Sequence, residues 1–390
     1  MRVLVLHNSY RNQGGEDLAV AGEVDIMRKA GMDVRLETVS NRGISSPVEQ
    51  ARLFLTVAND PKRKIWVQGL CDDYRPDIVH IHNFFPLLTT AVHEGAAERQ
   101  LPVVQTLHNY RLLCANALFL RNGAVCETCI NGNKAVAFLS RCYRGSFAAT
   151  LAAMRLRQHA ARNDIWARHV HRFIALTEFA RGKFIDGGFD GDRIVVKPHF
   201  VEDVGVMEHS RAGALFVGRL SPEKGVGTLI QAWRSLPNIP LTIVGDGPER
   251  SRLMASAPRN VVFTGHLRQD AVTPLMRRAA VLVVPSIAYE TFGMTIAEAF
   301  SAGLPVIASD IGAPAELVGR SGGGVLFKAG DAADLVRAVT DVLDNSDTLG
   351  ALSAGARRDY LRRYTPERNL EHLRSEERRV GKECRSRWSP

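Results

Sequence analysis

The chain has 390 residues, of which 45% are hydrophobic and 23% charged, and its formal net charge is +9. This length suits two domains of ordinary size, each able to bury its own core. No apolar run approaches the ~18 residues that a membrane-spanning helix needs, and the first residues lack the layout of a signal peptide. We therefore expect a cytoplasmic protein whose cysteines are reduced or bound to metal.

Short apolar runs in the first half of the chain alternate with helical patterns. The helical pattern at 18–30 ends at Gly31, a natural C-terminal cap. Such runs are typical of buried parallel strands with helices on both faces of the sheet. The predicted strands are 3–6, 34–39, 78–81, 103–107, 173–176 and 194–196.

The same pattern restarts after a polar segment at 198–212, which we interpret as a linker. The sequence therefore predicts an α/β protein with two Rossmann-like domains, at 1–200 and 205–360. The predicted strands of the second domain are 214–217, 241–244, 261–263, 281–284 and 305–308.

Residues 374–390 have no hydrophobic periodicity and resemble the translation of a sequencing adapter more than a genuine basic tail. Without these 6 basic and 3 acidic residues the net charge is +6. Residues 1–200 then carry +7 and residues 201–373 carry −1. The basic half suits an anionic partner, such as a phosphorylated acceptor or an anionic membrane face, or is simply a soluble surface. No nucleic-acid recognition motif accompanies the charge.

The segment 284–318 carries the strongest functional signal. A buried strand is followed by Glu290 in a loop, and Gly293 opens a helix that carries Glu298. The carboxyl edge of a parallel sheet is where such folds bind ligands, and free N–H groups at a helix start favour phosphate. Carboxylates accept hydrogen bonds from paired hydroxyls of a sugar or ribose. Taken alone, each Glu would suit an ordinary helix start.

This segment resembles the donor-site signature of family 4 glycosyltransferases, which have the GT-B fold and transfer sugars with retention. The resemblance implies two parallel sheets facing a central cleft. It implies that Glu290 contacts the donor sugar and that Glu298 holds the ribose. The backbone amides of Phe292, Gly293 and Met294 would face sugar or diphosphate.

Residues 216–230 place two cations around a turn that follows a strand. Arg219 and Lys224 suit a diphosphate leaving group, whose departure leaves negative charge to be stabilised. The family has a Gly-Arg and a downstream Lys-Gly here, which match Gly218, Arg219, Lys224 and Gly225. A merely exposed pair of charges on a turn is the alternative.

Three further glycines follow predicted strands in the order that the family shows. Gly245 and Gly265 are expected near the nucleotide, although the turn around Gly245 suits a structural role equally well. Gly15 lies in a Gly-rich loop that would border the diphosphate from the first domain. The neighbouring Glu16 and Asp17 suit the first turn of a helix on dipole grounds alone.

Histidines follow two predicted strands of the first domain. By resemblance, His108 would contact the transferred sugar, and a neutral imidazole can donate to a hydroxyl or relay a proton. His80 and His82 alternate on one strand and share a face, with Asn83 beside them. A metal pair, simple packing and acceptor contact are the alternatives for these residues.

Four cysteines cluster within 29 residues: Cys114, Cys126, Cys129 and Cys142. Four thiolates around one C-x-x-C pair can complete a structural zinc site, with free thiols as the alternative. A subset of the family resembles this stretch closely. Cys71 stands apart and is expected to be buried. No catalytic metal or other cofactor is implied.

Five arginines interspersed with apolar residues at 148–172 predict a basic helix, which would lie on an anionic membrane or pack on the sheet. The resemblance implies a UDP- or GDP-linked donor, a sugar or lipid-linked glycan acceptor, and a role in bacterial surface polysaccharide synthesis. Residues 361–373 would begin a C-terminal helix that crosses back to the first domain. The alternatives are an epimerase or phosphorylase of the same fold, or an inactive sugar-nucleotide-binding protein.

Overall fold

The computed structural model describes residues 1–10, 14–43, 46–132, 135–206 and 211–375. The chain forms two compact units. Among the described residues, the first unit comprises those in 1–117, 127–197 and 370–375, and the second those in 118–126 and 198–369. Apart from residues 374 and 375, the predicted adapter-derived tail lies outside the described residues.

Each unit is built on a six-stranded sheet in which every neighbouring pair of strands is parallel. A two-stranded antiparallel hairpin, β5–β6, accompanies them. The strands are β1 Arg2–Ser9, β2 Asp33–Ser40, β3 Ile78–Ile81, β4 Val103–Thr106, β5 Leu120–Arg121, β6 Ala124–Val125, β7 Arg172–Ala175, β8 Ile194–Val196, β9 Ala214–Val217, β10 Leu241–Val244, β11 Val261–Gly265, β12 Val281–Val284, β13 Val306–Ser309 and β14 Gly324–Phe327.

Helices connect most of the strands, as parallel pairing requires. Polar caps begin several of them, for example Ser46 and Asp331, whose side chains accept from backbone N–H groups. The helices are α1 Gly15–Lys29, α2 Pro47–Thr56, α3 Pro61–Tyr74, α4 Ala91–Glu98, α5 Thr128–Asn131, α6 Ala135–Leu139, α7 Phe147–Arg162, α8 Ile165–His169, α9 Glu178–Asp186, α10 Val226–Trp233, α11 Arg250–Ser256, α12 Gln269–Arg278, α13 Met294–Ser301, α14 Gly312–Gly319, α15 Ala332–Leu343 and α16 Ser346–Arg363.

The strand orders identify a switch point in each sheet. The first sheet runs β2-β1-β3-β4-β7-β8, and the second runs β11-β10-β9-β12-β13-β14. The chain reverses its direction of winding between β1 and β3 in the first unit and between β9 and β12 in the second. Ligands of open parallel sheets bind beyond the carboxyl ends of the strands at such points.

Each unit has an apolar core between its sheet and helices. In the second unit the fully buried Trp233 of α10 packs with residues of the central strands and of α15. In the first unit residues of β1 pack with Val24 and Met27 of α1. Leu373 is also fully buried in that first core, within a helical stretch at 366–375.

The eleven predicted strands are confirmed, with shifts of a few residues at their ends. The prediction missed β14 and the β5–β6 hairpin. The division between the units falls after Lys197, at the start of the predicted linker. Residues 207–210 of that linker lie outside the described part of the chain.

Candidate functional site

The candidate donor site lies at the switch point of the second sheet. The segment after β9 contains Gly218, Arg219 and Lys224, and the segment after β12 contains Glu290. Because β9 and β12 are neighbouring parallel strands, their carboxyl ends meet at the same edge of the sheet. The backbone N–H of Ile287 donates to the carbonyl of Glu223 at 3.0 Å and joins the two segments directly.

Lys224 and Glu290 form an ion pair at this edge. The Lys224 Nζ lies 2.9 Å from Glu290 Oε1, and their side chains are 30% and 20% exposed. The hydroxyl of Ser286 also donates to Glu290. The pair is therefore oriented by its neighbours while remaining accessible from solvent.

Two glycines allow the loops to approach each other closely. A Cβ on Gly225, which has φ +65°, would lie 1.9 Å from the carbonyl oxygen of Pro285. A Cβ on Gly245, at φ +138°, would lie 1.9 Å from the carbonyl oxygen of Gly218. Glycine is required at both positions by conformation and by space. Gly245 also donates to the carbonyl of Gly265 at 2.8 Å, which places three of the predicted glycines together.

Glu298 lies on α13, one turn after the start of the helix that the sequence predicted. Burial raises the pKa of this carboxyl to about 7, although a hydrogen bond with the Gln269 side chain acts in the opposite direction. Gly293 precedes the helix at φ +139°. The ring of Phe292 is buried, so that its expected contribution to a ligand would come from its backbone.

Arg219, which the sequence assigned to the diphosphate, is exposed just beyond β9.

The loop before α1 is ordered by contacts within the first unit. Gly15 begins α1, where Gly14 serves as the cap and its N–H donates to Asp17 at 2.8 Å. Asp17 in turn contacts Nε2 of His7 at 2.9 Å. The carboxylate of Asp17 thus orders this loop, in agreement with a structural role.

Glu16 has a more unusual setting than the sequence indicated. Tyr10 donates a hydrogen bond to its carboxylate at 3.0 Å. Burial raises the pKa of Glu16 to about 8, against the opposing effects of Tyr10, Arg111 and Asn109. A carboxyl group with such a pKa can hold a proton at neutral pH.

His108 is half-buried and contacts the buried His82, which directly follows β3. Its Nε2 lies 2.9 Å from Nδ1 of His82, and the rings of His80 and His82 stack with their centroids 4.2 Å apart. Glu23, which sequence reasoning missed, has Oε1 3.7 Å from His80 Nδ1 and 3.8 Å from His82 Nε2. Lys197 places its Nζ 2.6 Å from Oε2 of Glu23.

Glu23, His80 and His82 have the residue types and spacing of metal ligands. The charge balance argues against a metal ion, because the buried ammonium of Lys197 already compensates Glu23. A divalent cation would add two uncompensated charges to a site with no exposed member, which is costly in a buried environment. Packing is therefore favoured over the metal pair that the sequence left open.

The cysteine cluster is partly assembled within the first unit. The thiols of Cys114 and Cys129 are hydrogen-bonded, and this contact, helped by Arg157, lowers the pKa of Cys129 to about 6. Cys142 packs against the small apolar core that contains Cys129. Cys126 ends the segment that groups with the second unit. Cys71 is buried, as predicted.

The predicted basic helix corresponds to α7 and α8. Arg155 donates to the carbonyl of Phe54 at 3.0 Å and Arg157 to that of Leu112 at 3.1 Å, so two of its arginines serve packing. Arg162 and Arg168 are exposed. Among the described helices, none has the length and apolar character needed to cross a bilayer.

Two protein-family models match the chain and cover most of it between them. "Glycosyltransferase Family 4" matches residues 21–203, and "Glycosyl transferases group 1" matches residues 207–359. These matches support a family like family 4 of the glycosyltransferases, in agreement with the resemblance read from the motifs.

Curated relatives are similar over part of the chain. A 2-deoxystreptamine N-acetyl-D-glucosaminyltransferase of Streptomyces fradiae is 36% identical over 173 residues, which are 41% of each chain. A GDP-mannose-dependent alpha-mannosyltransferase of Mycolicibacterium smegmatis is 40% identical over 153 residues, 39% of each chain. The alignments thus span about two fifths of these relatives. Together with the family models, they indicate a glycosyltransferase.

Solved structures share the fold over almost the whole chain. HepE of Anabaena, in complex with UDP, has a TM-score of 0.70 at 18% identity and covers 96% of this chain and 99% of its own. Sucrose-phosphate synthase from Thermosynechococcus elongatus has a TM-score of 0.72 at 17% identity and covers 97% of this chain and 99% of its own. The likeness shows the two-domain GT-B fold with parallel sheets.

Proposed function

We propose that the chain transfers a sugar from a nucleotide-diphosphate sugar to an acceptor hydroxyl, with retention of anomeric configuration. The ion pair between Lys224 and Glu290 carries this proposal, because it places a cation and a sugar-binding carboxylate together at the switch point of the second sheet. UDP in the crystal structure of HepE, a protein of the same fold, supports a nucleotide diphosphate as the ligand.

Each residue of the site has a distinct task in this proposal. Lys224, with Arg219 nearby in sequence, stabilises the negative charge that the departing diphosphate develops. Glu290 orients hydroxyls of the sugar. Glu298 accepts hydrogen bonds from the ribose, and His108 contacts the transferred sugar. Retention and these residue assignments rest on the resemblance to family 4.

A donor panel tests the proposal. We expect the protein to hydrolyse one of the UDP- or GDP-sugars slowly when no acceptor is present. A suitable glycan acceptor should increase the rate at which that donor is consumed. The anomeric configuration of the product is determined by NMR. Lys224→Ala should lower turnover at saturating donor by about a hundredfold, as for loss of one group that stabilises transition-state charge. Lys328→Ala, at an exposed lysine directly after β14, the far edge strand of the same sheet, is the matched control. Unchanged turnover in Lys224→Ala would contradict the assignment.

The acceptor and the pathway extend the same proposal. A sugar or lipid-linked glycan of bacterial surface polysaccharide synthesis suits the basic first half of the chain. An epimerase or phosphorylase would convert the donor without an acceptor or release sugar phosphate, and an inactive protein would bind UDP without turnover. The panel separates these outcomes.

We also propose that the cysteine cluster holds a structural zinc ion, with Cys114, Cys126, Cys129 and Cys142 as ligands. The lowered pKa of Cys129 supports this, since zinc binds thiolates. Purified protein should contain one zinc per chain by elemental analysis. Cys129→Ser should lose it and Cys71→Ser should keep it. Four titratable thiols and no zinc in the folded wild-type protein would contradict the site.

Attachment to an anionic membrane surface is proposed for the same part of the first unit. Leu139, Phe147 and Leu151 are exposed apolar residues near the basic side chains of this region, and Arg141 lies over the ring of Phe147. Apolar side chains combined with basic ones favour an anionic lipid interface. Flotation with vesicles containing phosphatidylglycerol, but not with neutral vesicles, is the expected result.

A further inference from the structure

The buried polar cluster behind His108 has no role in the proposed donor site. It consists of Glu23, His80, His82 and Lys197, each at most 2% exposed. Helix α1 contributes Glu23. His80 lies in β3, His82 directly follows that strand, and Lys197 directly follows β8. Burying polar groups of this kind costs free energy unless each of them has a favourable partner. The positions of the partners therefore determine which atoms of the cluster carry hydrogens.

The charges of the cluster are balanced by one ion pair. The ammonium of Lys197 lies against Oε2 of Glu23 at 2.6 Å. Burial lowers the pKa of His80 to about 4 and holds the pKa of His82 well below its usual value. Both imidazoles are therefore neutral at physiological pH, and each carries a single N–H.

The carboxylate of Glu23 decides which ring nitrogen of His82 carries that hydrogen. Its Oε1 lies 3.8 Å from Nε2 of His82, and among the described residues this nitrogen has no hydrogen-bond partner at shorter range. An N–H directed at a carboxylate is attracted, whereas a lone pair is repelled, and both effects are strong in a buried site. His82 is therefore protonated on Nε2, and its Nδ1 is an acceptor.

His82 Nδ1 lies 2.9 Å from His108 Nε2, so the protonation of His82 also determines that of His108. Because His82 accepts there, His108 must donate from Nε2, and its lone pair in the neutral ring is on Nδ1. We propose that Glu23 is a positioning residue that acts through His82 to hold His108 in the Nε2–H tautomer, so that His108 accepts, and does not donate, a hydrogen bond with a sugar hydroxyl. The last step rests on the proposed function.

The tautomer can be measured without any ligand. In the full-length protein labelled with ¹⁵N-histidine, the His108 signals are assigned by their loss in His108→Ala, and the ring nitrogen shifts identify the protonated atom. We expect Nε2–H in the wild-type protein. Nδ1–H would overturn the proposal even if no variant could be purified.

Glu23→Gln tests the cause. The ammonium of Lys197 should donate to the amide oxygen of the new glutamine. The NH₂ group of that glutamine would then be directed toward the histidines. That group must donate to Nε2 of His82, so His82 would donate from Nδ1 and His108 would change to Nδ1–H. Asp25→Asn, an exposed position on the same helix with a side chain 55% exposed, is the matched control and should leave the tautomer unchanged. An unchanged tautomer in folded Glu23→Gln would refute the relay.

A kinetic comparison tests the consequence. Glu23→Gln should lower kcat for sugar transfer by about tenfold, the value of one lost hydrogen bond, while its affinity for UDP stays at the wild-type value because UDP binds in the second unit. A reversed tautomer with unchanged kcat would overturn the role assigned to His108. Failure of the wild-type protein to bind UDP or turn over any donor would instead count against the proposed function and leave the tautomer result standing.

Discussion

If Glu298 contacts the ribose as proposed, its raised pKa makes nucleotide binding depend on pH. Burial raises this pKa from 4.5 to about 7, so the carboxyl gains its proton in the free protein near neutrality. A carboxylate accepts hydrogen bonds from both ribose hydroxyls, whereas the protonated group has lost part of that capacity. If the ionised form binds, the apparent Kd scales with one plus the ratio of protonated to ionised carboxyl. That factor is about 11 at pH 6 and about 1.1 at pH 8.

The expected result is up to about tenfold tighter UDP binding at pH 8 than at pH 6, measured by calorimetry. UDP itself loses a phosphate proton near pH 6, so Glu298→Gln serves as the reference that retains only this effect. The free energy of unfolding has the opposite pH dependence to UDP affinity and decreases as the pH rises. The reason is that the Glu298 carboxyl binds its proton more tightly in the folded state than in the unfolded state. The stability contribution of Glu298 is complete below pH 4.5 and is lost as the pH rises through about 7. Identical pH profiles of UDP affinity for the wild type and Glu298→Gln would show that the Glu298 carboxylate does not bind the ribose.

Three further substitutions have defined outcomes. Gly245→Ala should abolish UDP binding and destabilise the protein by about 1–3 kcal/mol or more, since it combines φ +138° with a Cβ 1.9 Å from a carbonyl oxygen; retained UDP affinity would contradict the close approach of the loops. Lys197→Met should cost about 3–5 kcal/mol in urea unfolding, because Glu23 is left buried without its cation, and a small effect would show that the pair is not buried. Trp233→Ala should cost about 3–5 kcal/mol by removing a fully buried ring, and UDP affinity under native conditions should be retained if this core merely supports the site.

The second unit could be predicted well because its pattern is local. The strands of its six-stranded sheet are short runs of 4 or 5 residues, and several of them are followed by residues of the candidate site. The position of β14 was less evident in the sequence. The strand begins at Gly324, the last of a run of glycines, and glycine is typical of turns and not of strands. Lys224 and Glu290 could be assigned to one site only because the two segments that carry them follow neighbouring strands, which sequence order alone does not state.

The cluster behind His108 could not be predicted in the same way. Glu23 and Lys197 are separated by 174 residues, and each looks like an ordinary charge on a helix or after a strand. Their pairing follows from the parallel sheet, which brings α1 and the end of β8 to the same region of the unit. The histidines were recognised as sharing a face, but the carboxylate that determines their protonation is supplied from a different element.

A crystal structure of the protein with UDP bound would locate the donor site. We expect the diphosphate beside the backbone of Gly218 and the ammonium of Lys224, with the ribose hydroxyls against the carboxylate of Glu298. A nucleotide bound elsewhere, with Lys224 still held only by Glu290 and Glu298 without contact to the ribose, would contradict this assignment.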